Sequence, residues 1–298
     1  MYLTKEEERI YNGEEGIAKQ KAIELLVALG KIYEADKLIP VSSAQLAGVS
    51  YKTIGDAGTD FIKFFSDNGA KVAVNTYLNP AGMDLCDWKA MGVKKSFAEK
   101  QMKIIEIFRK IGVNISCTCT PYLIGLRPST GEHIAWSESS AVSFANSVLG
   151  ARTNREGGPS SLAAAIIGKT ANYGYHLGEN RVANFLIKAQ VKLKTISDFG
   201  ALGVYAGRLV KNKVPAFELE QRSTEEQLKA LGAAMAASGA VALFFVKGQT
   251  PEWSLDKPET IEVKEEDIKK VKKDLSDTED VDHVVYQGHQ DSRCKSDL

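Results

Sequence analysis

Residues 71–84 read KVAVNTYLNPAGMD. The run KVAVNT, residues 71–76, reads as a short buried strand, and LNPAGMD, residues 78–84, as a polar turn at its C-terminal end. The pattern recurs on both sides. Leu38-Ile39-Pro40-Val41 reads as a strand entering the polar turn Ser42-Ser43, and Asn114-Ile115-Ser116-Cys117-Thr118 as a strand entering CTPYL, residues 119–123. Helical patterns lie between them. Residues 14–36 carry Ile17, Ile23, Leu26, Leu29 and Tyr33 near one stripe, residues 60–68 look helical, and residues 96–111 place Phe97, Met102, Ile105 and Phe108 on one face. Strand, polar turn and helix in repetition describe an α/β protein whose site lies at the strand C-termini.

The 298-residue chain is 44% hydrophobic and 26% charged, which suits a globular protein of one large or two ordinary domains. Its 38 basic and 38 acidic residues cancel, so no nucleic-acid surface is expected. The charged N-terminus, MYLTKEEERIYNGEE, lacks the apolar core of a signal peptide. Residues 228–246, the most apolar stretch, include Lys229 and many Ala and Gly. They read as a buried helix running into a buried strand rather than a membrane span. The expectation is a cytoplasmic protein with no membrane or nucleic-acid partner. Of the four cysteines, Cys86, Cys117, Cys119 and Cys294, only the Cys117-Thr118-Cys119 pair is clustered. That spacing leaves metal, redox and purely structural roles open.

Further local signals set the organisation. Thr4 with Glu7 has capping-box spacing, as do Ser223 and Glu226, the latter pair starting a helix to Ala237. AGVSYKTIGDAG, residues 47–58, gathers glycines and hydroxyls but has no Walker Gly-Lys-Ser/Thr. On spacing it reads as a loop entering a helix at Asp60. Beyond residue 135 helices are expected to dominate. SSLAAAII (160–167) forms a small-residue helix, NYGYHLGENR (172–181) a polar turn, GAVALFFVKG (239–248) a buried strand and Thr250-Pro251-Glu252 a turn. Residues 262–275 read as a charged helix and VDHVVYQG (281–288) as a strand.

The commonest catalytic signatures are missing. There is no G-x-S-x-G elbow, no H-E-x-x-H, no C-x-x-C and no G-x-G-x-x-G. What stands out is AWSESSAVSFANSVLGARTNREGG, residues 135–158, which is too polar for a packing helix. Arg152 and Arg155, three apart, would share a helix face and could clamp an anion. Glu138 could orient a ligand hydroxyl or cap a helix. The equal alternative is a buried polar network that fixes a loop.

These motifs together resemble aconitase X, a divergent branch of the aconitase superfamily. The resemblance rests on GVSYKTIGDAG (48–58), NPAGMD (79–84), CTPYL (119–123), AWSESSAV (135–142), residues 145–181, SDFGALG (197–203) and SGAVALF (238–244), and spans about residues 1–255. It implies aconitase-like three-layer α/β/α units, with a catalytic region over 1–255 and the start of a C-terminal cluster-binding unit over 256–298. It implies a dehydratase. The two-subunit archaeal members remove water from (R)-5-phosphomevalonate, a phosphorylated hydroxy acid, in a mevalonate route to isoprenoids; other members dehydrate cis-3-hydroxy-L-proline. A [4Fe-4S] cluster is implied as Lewis acid, with Cys119 a ligand. Gly48, Val49, Ser50, Asn79, Pro80, Glu138 and Ser139 are implied substrate contacts. The base is implied to be a serine of a small subunit, so a heterodimer is expected and this chain's own catalytic residues are unknown.

The sequence departs from that pattern near its end. His289 stands where the family has a cluster cysteine, Cys294 lies five residues later, and Phe245 occupies an expected histidine position. A further family cysteine would lie beyond Leu298. The chain reads as a shortened large subunit, and a cluster-less remnant that binds an anionic metabolite or a partner chain is the alternative. Cys117 reads as a buried apolar residue, although in an extended strand it would point the same way as Cys119.

Overall fold

The computed structural model describes residues 1–276. The chain opens with α1 (Lys5–Tyr11) and α2 (Ile17–Ile32), then β1 (Leu38–Pro40), β2 (Ser43–Leu46), α3 (Tyr51–Asp67), β3 (Asn75–Leu78) and α4 (Lys95–Lys110). It continues with β4 (Ala135–Trp136), α5 (Ser139–Phe144), a π turn at Ala145–Leu149, α6 (Gly158–Ile167) and β5 (Lys169–Ala171). The last part holds β6 (Ala183–Ala189), α7 (Ile196–Val210), β7 (Pro215–Leu219), α8 (Glu225–Gly239), β8 (Phe245–Val246), β9 (Leu255–Val263) and α9 (Glu265–Ser276).

Two parallel sheets organise these elements. The first has the order β3-β2-β4, and the second β8-β7-β6-β9. A small antiparallel pair joins β1 to β5. In the first sheet β2 is buried along its whole length, as a central parallel strand must be when both faces are covered. Helix α6 packs on β2 and α2, and α3 packs on α4. The core there includes Ile23, Leu26, Leu46, Phe65, Leu78, Ile104 and Leu162. Each such side chain taken fully out of water contributes about 2 kcal/mol.

Ile187, Phe217 and Val263 of the second sheet, with Phe244 just before β8, pack against Phe199, Leu202, Leu231 and Met235 of α7 and α8. Those helices approach so closely that a Cβ on Gly239 would lie 2.1 Å from the Gly207 carbonyl oxygen. A third cluster, with Trp136, Tyr122, Phe144 and Ala242, connects the two regions.

The α/β expectation, with helices flanking parallel sheets, holds. Several elements differ in extent, each for a local reason. Ser43 is not a turn residue but opens β2, because its hydroxyl accepts from the Trp136 indole N–H at 3.2 Å inside the fold. Helix α3 begins at Tyr51 rather than near Asp60. Ser50 caps a first short turn, which a kink at Gly55 (φ 59°) separates from the longer helix running on to Asp67. Strand pairing of 71–78 starts only at Asn75, since the Val72 and Ala73 amides bond Ile111 and Ala165 carbonyls instead.

Residues 114–118 contribute one parallel bridge, Asn114 with Tyr77, before Cys117 turns into the left-handed region at φ 46°. Strands β6 and β7 fall where mainly helices were expected. In 239–248 only Phe245–Val246 pairs, although Val241 to Val246 are all buried. The α8 cap is Thr224 with Gln227, one residue later than the spacing suggested. The second sheet joins residues on both sides of position 255 through β6 and β9. The expected strand 281–288, His289 and Cys294 lie outside the described residues. Among the described residues no helix is long and apolar enough to cross a membrane.

Candidate active site

Parallel pairing fixes where the strands of the first sheet deliver the chain. β2 ends at Leu46 and is followed by Gly48, Val49 and Ser50. β3 ends at Leu78 and is followed by Asn79 and Pro80, and β4 ends at Trp136, just before Glu138 and Ser139. Residues 114–118 run beside β3, with the Thr118 N–H on the Leu78 carbonyl at 3.1 Å, and deliver Cys119. All eight residues expected from the sequence therefore come to one edge of one sheet.

Cross-links hold this edge in place. The Asn79 N–H donates to the Leu46 carbonyl at 2.9 Å, joining the loops after β2 and β3. Ser137 joins those after β2 and β4. Its hydroxyl oxygen accepts from the Ala47 N–H at 3.0 Å, and its own N–H donates to the Gln45 carbonyl at 3.2 Å. Gln45, fully buried in β2, donates from Nε2 to the Thr118 carbonyl at 3.4 Å. Ser50 caps α3, its hydroxyl accepting from the Lys52 N–H at 3.3 Å. An apolar cavity of about 160 Å³ lies beside Gly48, lined by Leu46, Ile54, Phe61, Phe108 and Leu162.

Glu138 caps α5. Its carboxylate accepts from the Ala141 N–H and the Ser140 hydroxyl, both at 2.6 Å, and from the Ser139 hydroxyl at 3.4 Å. The helix-capping reading of Glu138 is thus realised. Cys119 is 8% exposed, and burial followed by the nearby Glu138 charge pushes its thiol above the ordinary range. Tyr122 stacks on Phe144 with ring centroids 4.0 Å apart. Its buried hydroxyl, like Gln45 Oε1 and Asn79 Oδ1, has no hydrogen-bond partner among the described residues. Unmatched polar atoms at a strand-end edge fit a place that receives a polar ligand.

Of the two readings of residues 135–158, the anion clamp of Arg152 and Arg155 on a shared helix face does not form. Residues 151–157 are not helical. Arg152 Nη1 donates to the His176 carbonyl at 3.1 Å, and the exposed Arg155 donates to the Ala240 carbonyl at 3.2 Å. Cys117 turns inward, its thiol against the backbone of Ala81 in the loop after β3. The turn at its positive φ breaks the alternation that would have aligned it with Cys119, and it packs into the first core at 1% exposure. Burial raises its thiol to about 11.

Among the described residues no three His, Cys, Asp or Glu side chains lie together as a metal site. Cys119 alone does not make up the ligand set of an iron–sulfur cluster, so the described residues do not fit that group by themselves. Phe245, at the position of an expected histidine, is fully buried beside Leu243 and Ala216.

Three edge residues were not singled out from the sequence: Gln45, Gln101 and Ser137. For Gln101 a signal exists. It lies four residues after Phe97 and four before Ile105, a polar residue on the apolar face of α4.

Comparison with known proteins settles the family. The profile of the aconitase X first domain matches residues 1–179, and that of the aconitase X second domain matches residues 183–273. The chain belongs to the aconitase X family. It is 59% identical over 253 residues to the phosphomevalonate dehydratase large subunit of Methanosarcina mazei, covering 85% of this chain and 63% of that protein. It is 36% identical over 244 residues to the cis-3-hydroxy-L-proline dehydratase of Pseudomonas aeruginosa, covering 80% of this chain and 42% of that enzyme. The crystal structure of the holo form of Thermococcus kodakaraensis aconitase X superposes with a TM-score of 0.87 at 55% identity. That match covers 94% of this chain and 70% of the other. The present aconitase X chain thus spans roughly two thirds of the length of the M. mazei and Thermococcus proteins.

Proposed function

We propose that this chain is the large subunit of a phosphomevalonate dehydratase. The reaction removes water from (R)-5-phosphomevalonate to give trans-anhydromevalonate 5-phosphate. The observation that carries the reading is the 59% identity to the large subunit of that name, against 36% to a hydroxyproline dehydratase. It is supported by the convergence of the strand-end loops on one edge, where ligands of parallel α/β sheets characteristically bind.

In this reading Gly48, Val49 and Ser50, with Asn79 and Pro80, line the substrate site and orient it through backbone groups and the Ser50 hydroxyl. The unmatched Asn79 Oδ1 accepts from a substrate hydroxyl. Ser139 contacts substrate beside Glu138. Glu138 contacts substrate too, through what its carboxylate has left after accepting from two hydroxyls and one amide. Proton removal then falls to a small-subunit partner, in keeping with the large-subunit name of the relatives. Cys119 is the one thiol of the described residues proposed to face an iron–sulfur cluster, whose remaining ligands the described residues do not supply. The proposed catalytic region extends over residues 1–255, with the cluster-binding unit beginning at 256.

The test is anaerobic reconstitution of the chain and its small subunit with iron and sulfide, followed by incubation with (R)-5-phosphomevalonate. Loss of one water, seen by mass spectrometry, is the expected result. Turnover of cis-3-hydroxy-L-proline instead would overturn the substrate assignment. The second reading, a cluster-less binding remnant, is favoured by His289 at a cysteine position. Retained phosphomevalonate binding without iron uptake would select it.

A further inference from the structure

We infer that Gln101, on α4, is a positioning residue that sets the loop carrying Ser50. The inference rests on the reading of Gly48–Ser50 as a substrate loop and adds a residue to it. Gln101 is fully buried, and its carboxamide meets the loop at both ends. Oε1 accepts from the Tyr51 N–H at 2.8 Å, and Nε2 donates to the Val49 carbonyl at 3.0 Å. The two bonds straddle Ser50. An N–H on one side and a carbonyl on the other also fix which way the amide faces. A carboxamide presents a neutral acceptor and donor side by side, and so acts like one residue of a neighbouring strand. No aliphatic side chain and no ionised carboxylate of that size can do this.

The surroundings make the contact matter. Gly48 (φ 73°) and Gly55 (φ 59°) bracket the segment, and a Cβ on either would meet nothing within 4 Å. Neither end of the segment is therefore held by packing at its glycine; between them Val49 is buried in the first core, Tyr51 packs on Phe97, and the Gln101 bonds restrain the backbone on both sides of Ser50. On the other side lies Gly82, in the loop after β3 that also holds Asn79 and Pro80. A Cβ there would sit 2.1 Å from Ser50 Oγ and 3.1 Å from Gln101 Oε1. Gln101 and Ser50 are thus seated against the backbone of a second site loop. Shifting Gln101 displaces Ser50 relative to Asn79.

The experiment uses the complex with its small subunit, carrying Gln101→Met, which keeps volume and removes both bonds. Three quantities are measured: Kd for phosphomevalonate, kcat, and hydrogen exchange of the peptide covering residues 47–53. The expected result is a Kd raised about tenfold, kcat within about twofold, and faster exchange of the Tyr51 amide. Gly82→Ala, whose methyl presses on Ser50 and on the Gln101 carboxamide together, is expected to raise Kd likewise, and it stands in if Gln101→Met does not fold. An unchanged Kd in a variant whose melting temperature falls would mean Gln101 is merely structural and would overturn the inference. Unchanged exchange at Tyr51 would do the same. If the wild-type complex binds no phosphomevalonate while exchange still accelerates in Gln101→Met, the substrate reading fails and the loop clamp stands.

Discussion

Asn146 holds the backbone of Thr153 at both of its polar atoms. Its Oδ1 accepts from the Thr153 N–H at 3.0 Å, and its Nδ2 donates to the Thr153 carbonyl at 2.9 Å. The same Nδ2 donates to the Ala242 carbonyl at 2.9 Å, and the buried Arg181 guanidinium donates to the Asn146 carbonyl at 2.9 Å. Thr153 in turn accepts from the Trp136 N–H at 3.2 Å. One asparagine side chain therefore ties the edge of the first sheet to the segment entering β8. Asn146→Ala would leave an amide and two carbonyls buried without these partners. A loss of about 3 kcal/mol is expected, read as a lower urea midpoint. A variant within about 1 kcal/mol of wild type would show that water or rearrangement takes over these groups.

That network explains what was legible in the sequence and what was not. The gathering of polar residues at 135–158 was visible, and so was its use as a buried framework. The choice between framework and anion clamp was not. It turns on whether Arg152 and Arg155 sit on a helix, and the extended path is dictated by Asn146 and Thr153, seven residues apart. Strand-end loops were readable wherever Pro and Gly mark them, as at Asn79-Pro80. Ser43 and Gln45 were opaque because the partners of the Ser43 hydroxyl and the Gln45 Nε2, Trp136 and Thr118, are distant in sequence. Strands β6 and β7 were missed because parallel pairing is set by partners rather than by local alternation.

The Nδ1 atoms of His133 and His176 lie 2.9 Å apart, a bond that requires one to donate and the other to offer a lone pair. Burial, then His133, Arg181 and Arg152, hold His176 down to about 3, and burial also lowers His133. The unfolded chain protonates its histidines near pH 6.5 (about the ordinary value), whereas the folded chain resists until far lower pH. The contribution is thus fully present above about pH 6.5 and is lost progressively as pH falls toward the folded value. His176→Gln is expected to flatten the difference in urea midpoint between pH 7.5 and pH 5 relative to wild type. Parallel pH dependences in the two proteins would contradict the assignment.

Glu156 should behave in the opposite sense. It is 6% exposed, and its carboxyl oxygens accept from the hydroxyls of Ser160 and Thr170. Burial raises its pKa, and these two bonds offset that only in part. The folded state favours the protonated acid, so stability falls as pH rises from the ordinary carboxylate range through the folded value. Glu156→Gln removes that titration at nearly constant shape. The variant should gain on wild type as pH increases, with the larger advantage at pH 8 than at pH 5. Melting temperatures across that range test it, and an advantage that does not grow with pH would refute the idea.

Cys117 and Cys119 separate a packing role from a site role within three residues. Cys117 lies in the first core, 1% exposed, with its thiol turned against the backbone of Ala81. Cys117→Ala removes a buried sulfur and should cost about 1 kcal/mol of stability while leaving iron uptake by the reconstituted complex unchanged. Cys119 faces the edge beside Glu138, and its removal leaves a smaller defect in packing, since the side chain is at the margin of the core. Cys119→Ala should therefore leave the urea midpoint near wild type and abolish iron uptake, measured as iron and sulfide per heterodimer with the cluster's visible absorption as an independent reading. The contrast between the two variants is the informative quantity. Equal iron content in both would remove Cys119 from the proposed ligands, and iron lost only in Cys117→Ala would reverse the assignment made from the positive φ at that residue.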